Sequence, residues 1–170
     1  MTTSLPIKAL DLLSVLLHYP DDVLLSDLSR MRAAVARLDP GDLQQAIDRF
    51  LGYLAKHPLL TLQTAYTAAF DLNSATTLNL TWHRYGDNEK RAAALARLQR
   101  LYDVSGWERT TGDLPDYLPL MLEFLVVCPQ GDTTGEIRKC LGGLETLIEP
   151  LAQLAPAYAE LLSPLAKAVK

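Results

Sequence analysis

Apolar side chains recur at steps of three and four along almost the whole chain, and nowhere alternate in the sustained period of two that a half-buried strand requires. Leu10, Leu13 and Leu17 share one face of a segment from Leu5 to His18, which Pro20 follows. Leu28, Met31, Val35 and Leu38 repeat the spacing within Asp22 to Leu38. After the turn Asp39-Pro40-Gly41-Asp42, in which Asp42 is placed to cap, Leu43, Ile47, Phe50 and Leu54 mark a helix to His57. Pro58 is a boundary, and Leu59 to Asp71 and Glu89 to Asp103 read as further helices, the latter stopped by Gly106. Leu114 to Val127 is apolar almost all round, as a buried central helix is. Gln130-Gly131-Asp132 reads as a turn, and Thr133-Thr134-Gly135-Glu136 fits a capping box for a helix to about Leu154. Pro156 opens a last helix to about Ala168. The pattern predicts an all-α fold, an irregular helical bundle in one domain over residues 1–170.

Composition closes off several classes. Hydrophobic residues make up 49 % of 170, enough for a substantial core. The net charge of −4 argues against a nucleic-acid partner, which calls for a clustered basic surface. Cys128 and Cys140 form neither a disulfide framework nor a metal signature and suit a reducing cytosol. Ala9 to Leu17 has the length of a signal-peptide core, but Asp11 interrupts it and no cleavage motif follows, so a first core helix is expected. No apolar run approaches the roughly 20 residues that span a bilayer. A cytoplasmic protein is the expectation.

Catalytic signatures are weak. No Gly-rich phosphate loop or nucleophile elbow occurs. His18 and His57 each end a helix, where an imidazolium complements the dipole, and no histidine falls in a metal-binding pair with another. Neither a metal nor a cofactor is expected. On the helix from Leu114 to Val127, Asp116 and Glu123 share a face about two turns, roughly 10.5 Å, apart, wider than a retaining glycosidase pair.

Two other features are more informative. Leu72 to Asn88 is poor in helix formers and rich in polar and aromatic residues, and long loops of this kind are commonly functional. It reads as irregular, with a short helical turn near Thr81. Arg91 continues the apolar stripe of Leu95, Leu98, Leu101 and Tyr102. An inward arginine needs a carboxylate, with Asp71 and Asp116 the candidates, unless it snorkels to water. Pro115 suits a first helical turn, whereas Pro119 demands a kink or a separate turn before the helix.

Three blocks, in order, resemble the NarJ family, the delta subunits of respiratory nitrate reductase within the wider group of TorD-like chaperones. They are Leu62-Gln63-Thr64-Ala65-Tyr66 through Phe70-Asp71-Leu72; Thr77-Leu78-Asn79-Leu80 through His83 and Gly86-Asp87 to Lys90-Arg91; and Leu114-Pro115-Asp116-Tyr117-Leu118-Pro119 with Leu122-Glu123-Phe124-Leu125. Leu12 to Pro20 resembles the family's opening. The resemblance implies a TorD-like helical fold and a non-catalytic role. It implies binding of the N-terminal segment of an apo molybdoenzyme catalytic subunit until the molybdenum cofactor is inserted. A monomer that holds a client helix in a groove is expected. Tyr66, Phe70, Leu80, Tyr85, Tyr117 and Met121 are the expected apolar contacts, and Asp71, His83, Arg91, Asp116 and Glu123 the polar ones. An adaptor retained in a redox complex, and a small hydrolase using Asp116 and Glu123, are the competing readings.

Overall fold

A computed structural model describes residues 6–129 and 135–170. Leu5, the turn expected over 130–132 and the first two residues of the capping box expected over 133–136 lie outside the described residues. The helices are α1 (Ile7–Leu16), α2 (Asp22–Ser26), α3 (Leu28–Val35), α4 (Asp42–Lys56), α5 (Leu59–Phe70), α6 (Thr81–Tyr85), α7 (Glu89–Val104), α8 (Leu118–Val127), α9 (Glu136–Leu141), α10 (Leu144–Leu154) and α11 (Pro156–Ala168), with a 3₁₀ turn at Ser74–Thr76. The fold class is all-α: among the described residues the only β-type pairing is one isolated antiparallel bridge, Asn79 with Tyr117.

Local chemistry explains most of the boundaries. The Asp21 carboxylate accepts from Leu24 N at 2.8 Å and starts α2. Asn88 accepts from the amides of Lys90 and Arg91 and starts α7. Pro58 precedes α5, and Pro156 sits in the first turn of α11, where a missing N–H costs nothing. Gly106, at φ +71°, stops α7 in a backbone conformation that favours glycine.

Three expected helices differ in extent. Asp22 to Leu38 is divided at Asp27, whose amide bonds back to Leu24 O in a tightened 3₁₀-type turn. The segment after Glu136 is divided at Gly142-Gly143, where Gly143 N bonds back to Cys140 O in a 3₁₀-type turn. Leu114 to Val127 is helical only from Leu118: Tyr117 N bonds to Leu114 O in a separate turn, and Pro119 falls in the helix's first turn, where it breaks no ladder bond.

The core is continuous from Ala9 to Ala166. α8 is central, buried along Leu118–Leu122 and at Phe124 and Leu125, and it packs on α1. α11 packs on both α4 and α10. Two aromatic clusters fill it. Tyr158 is ringed by Phe50, Tyr66 and Phe70, and Phe124 meets Tyr102 and Trp107. No helix among the described residues is long and apolar enough to cross a membrane.

Candidate functional site

Backbone pairing joins the two most distinctive blocks of the sequence. Leu80 N donates to Asp116 O at 3.1 Å and Leu118 N to Leu78 O at 2.9 Å, so the long loop is stitched to the turn before α8. That stitch turns Asp116 inward, where it is fully buried. Its carboxylate accepts from Thr81 N at 3.0 Å, from the Thr81 hydroxyl, and from Asn79 Nδ2 at 3.2 Å. Arg91 Nη2 lies 3.8 Å away, and Arg91 Nε donates to Thr81 Oγ1 at 3.0 Å. The threonine hydroxyl thus donates a hydrogen bond to the carboxylate and accepts one from the arginine. A buried charge is tolerable only when satisfied in this way.

Of the two carboxylates expected for Arg91, Asp116 is the partner. Asp71 stands exposed at the C-terminal cap of α5. The Arg91 guanidinium also lies 5.7 Å from the centroid of the Trp82 ring, and its side chain keeps 17 % of its surface. The expectation that Asp116 and Glu123 share a helix face is corrected. Asp116 precedes α8 and is saturated with donors, while Glu123 lies on the exposed side of the helix. No acid–base pair is assembled from them.

Burial sorts the remaining expected contacts. Leu80 and Met121 have no exposed surface and are core residues, and Tyr66 and Phe70 are also buried. These four offer the surface little, because the loop and α8 fold over them. Tyr66 Oη donates to Leu17 O at 2.8 Å and lies 3.0 Å from Tyr117 Oη, so Tyr117 is the donor between the two hydroxyls. Burial pushes both phenols above the usual tyrosine range. Tyr117 remains half-buried. His83 Nε2 reaches Thr77 O at 2.7 Å and staples the loop, and Tyr85 lies under Arg84.

Beside the Asp116–Arg91 pair is a cleft of about 390 Å³, walled by Asp71, Leu72, Asn79, Trp82, Arg91 and Leu114. Leu72 and Leu114 are exposed apolar side chains at its edge. The sequence reading did not single out Asn79, Thr81 or Trp82 as site residues. For Asn79 and Thr81 the signal is local: two short polar side chains on either side of Leu80, where the chain turns into α6. No group of three or more His, Cys, Asp or Glu able to hold a metal occurs among the described residues.

The family model for the nitrate reductase delta subunit matches residues 37–167. The chain belongs to the nitrate reductase delta subunit family. It is 30 % identical over 93 % of its length to a protein of Bacillus subtilis (strain 168) assigned as the nitrate reductase molybdenum cofactor assembly chaperone NarJ, of which it covers 86 %. It is 32 % identical over 92 % of its length to the NarJ of Escherichia coli (strain K12), of which it covers 67 %. These delta-subunit relatives are named as assembly chaperones and not as catalysts, in agreement with the non-catalytic reading. A crystal structure from Archaeoglobus fulgidus, assigned as a redox enzyme maturation protein, superposes with a TM-score of 0.67 over 98 % of this chain and 95 % of that one. At 20 % identity that likeness speaks for the fold alone.

Proposed function

We propose that this chain is a system-specific, cytoplasmic maturation chaperone. It binds the N-terminal segment of the apo catalytic subunit of a molybdoenzyme, the nitrate reductase alpha subunit, and assists insertion of the molybdenum cofactor. The carrying observation is similarity along nearly the full chain to two assembly chaperones for that cofactor. The site's chemistry supports the reading. Its buried carboxylate is consumed by internal hydrogen bonds, which suits a structural anchor rather than an acid or base. The adjoining cleft carries apolar side chains within a charged rim, the surface that takes an amphipathic segment. Titration calorimetry of the chain with a synthetic peptide from the N-terminus of a nitrate reductase alpha subunit gives saturable binding at one peptide per chain. Absence of heat across a panel of such peptides overturns the proposal. Co-purification with the finished, cofactor-loaded enzyme at fixed stoichiometry overturns it in favour of a retained adaptor.

A further inference from the structure

Positive charge is concentrated on one side of an acidic chain. Residues 84–100 and 136–139 hold seven of its 16 Lys and Arg but three of its 20 Asp and Glu, which leaves nine cations against 17 carboxylates elsewhere. Arg91, one of the seven, is turned to the buried Asp116, and Lys90 is offset by its neighbour Glu89. Arg84 on α6, Arg97 and Arg100 on α7 and Lys139 on α9 are all exposed.

Side-chain contacts join these four across three helices. Arg84 lies over the Tyr85 ring, 5.6 Å from its centroid. Glu136, and to a smaller degree the Tyr85 hydroxyl, hold the Arg97 guanidinium above the usual arginine range. Arg97 Nε is 3.2 Å from Glu136 Oε2, and Lys139 Nζ is 3.4 Å from Oε1 of the same carboxylate. Arg100 follows Arg97 by three residues, about 60° round α7 and about 180° from Arg91.

The shared carboxylate does not cancel this charge. The Glu136 side chain keeps 13 % of its surface, beneath Arg97 at 42 % and Lys139 at 54 %. One covered anion therefore faces two cations that point outward. Asp103, one turn beyond Arg100, accepts from Gln99 Nε2 at 2.8 Å. With it included, four cations stand against two carboxylates.

The arrangement selects its partner. The cations are spread over three helices rather than gathered about one point, which suits an extended polyanion better than a single small ion. Three of the four are arginines, whose planar fork takes carboxylates in paired hydrogen bonds. Exposed Ala93 and Ala96 leave α7 smooth beside Arg97 and Arg100, so the backbone of another helix can approach closely. We infer that the outer face of α6, α7 and α9 is a docking surface for an acidic helical segment of a partner protein. The segment lies on Ala93 and Ala96, and its carboxylates reach Arg84, Arg97, Arg100 and Lys139. This goes beyond the chaperone reading, which concerns the cleft on the Arg91 side of α7.

Fluorescence anisotropy of a labelled, alanine-based helical peptide of about 20 residues, with Glu at steps of three and four along one face, reads the interaction. The same peptide with Gln for every Glu is the neutral probe. Wild type is compared with Arg84→Glu combined with Arg100→Glu, and with the milder Arg84→Gln combined with Arg100→Gln. The control, Arg37→Glu combined with Arg49→Glu, makes the same change of net charge as the first pair at exposed positions near and on α4. Wild type is expected to bind the Glu peptide, more weakly at about 0.3 M than at about 0.05 M salt, and not the Gln peptide. The Glu pair loses about tenfold or more, the Gln pair roughly several-fold and the control less than about twofold. If circular dichroism shows the Glu pair unfolded, the Gln pair decides. No binding by wild type, an equal loss in the control or equal binding of the Gln peptide overturns the inference. So does tighter binding of phosphatidylserine vesicles or a single-stranded oligonucleotide that needs Arg84 and Arg100, which gives the face to a membrane or a nucleic acid. Self-association in sedimentation, abolished by the Glu pair, gives it to a second copy and overturns the inference too. The alpha-subunit N-terminal peptide binds wild type and the folded pairs alike, so failure of this surface leaves the chaperone reading standing; if the pairs lose that peptide as well, the two surfaces are one and the inference fails.

Discussion

Asp116 and Arg91 are unequal partners, although they form one ion pair. The carboxylate has no exposure and three hydrogen-bond donors besides the arginine, whereas the arginine retains solvent and the Trp82 face. Asp116→Asn removes the charge, leaves Arg91 unopposed, and turns an amide N–H₂ or a weaker acceptor toward the Thr81 donors. It is expected to cost about 3 kcal/mol. Arg91→Ala leaves the carboxylate with its three donors and is expected to cost only about 1 kcal/mol. Urea unfolding of the two variants checks the order; equal losses, or a stable Asp116→Asn, refute the asymmetry. The Tyr66 and Tyr117 hydroxyls are in contrast to Tyr158, whose buried Oη has no hydrogen-bond partner among the described residues. The ring of Tyr158 packs on Phe50 and Phe70, so its place is held by apolar contact rather than by its oxygen.

At the scale of elements, the loop from Leu72 to Asn88 is held from two sides, by the turn before α8 and by the junction of α9 and α10. A Cβ on Gly143 would meet Leu80 O and Cys140 O, each at 3.1 Å. Leu80 cannot readily give way: its amide is bonded to Asp116 O, and its carbonyl accepts from His83 N. A Cβ on Gly142 would meet Lys139 O at 3.2 Å and Arg138 O at 3.8 Å, and nothing of the loop. Gly143→Ala is therefore expected to be less stable than Gly142→Ala by about 1 kcal/mol or more, despite alanine's better helix propensity at both sites. Thermal melts of the pair decide it; the reverse order would mean that the loop does not lean on that junction. Pro119 and Pro156 fall in the first turns of α8 and α11, and α10 and α11 continue through Pro150 and Pro164, as expected of helices to about Leu154 and Ala168. Burial of Leu147 and Leu151, and of Leu161, Leu162 and Leu165, holds those helices together where propensity alone would end them.

For the molecule as a whole, α7 is tied to α9 by Arg97 Nε and Glu136 Oε2 at 3.2 Å, with Lys139 also on Glu136 at 3.4 Å. Burial pushes the Glu136 carboxyl upward, but hydrogen bonds and charge from Arg97 and then Lys139 outweigh it, and its pKa lies below the usual glutamate value. A carboxyl depressed in the folded state adds stability above its unfolded pKa, near about 4.3, and loses it as pH falls through the folded value. Glu136→Gln should therefore be less stable than wild type at pH 7, by under about 1 kcal/mol because Arg97 is largely exposed, and should converge on it in acid. Urea midpoints for both proteins between pH 7 and pH 3 measure this, and parallel pH curves would refute it.

Helix identity was written locally. Steps of three and four, Asn88 as a cap and Gly106 as a stop need only neighbours along the chain to act, so the all-α class and most helices were legible from residues alone. So was the choice facing Arg91, a carboxylate partner or an escape to water, because its register on α7 extends the apolar stripe. Which carboxylate answers was decided only by tertiary structure. Asp71 and Asp116 are equivalent by local pattern, and the bridge between Asn79 and Tyr117 buries one and leaves the other in water. The same bridge moved Asp116 off the helix it was expected to share with Glu123. Packing likewise took Leu80 and Met121 into the core and left Val23 and Leu72 outside it, since whether an apolar side chain is covered depends on elements far away in sequence, which a local period does not encode.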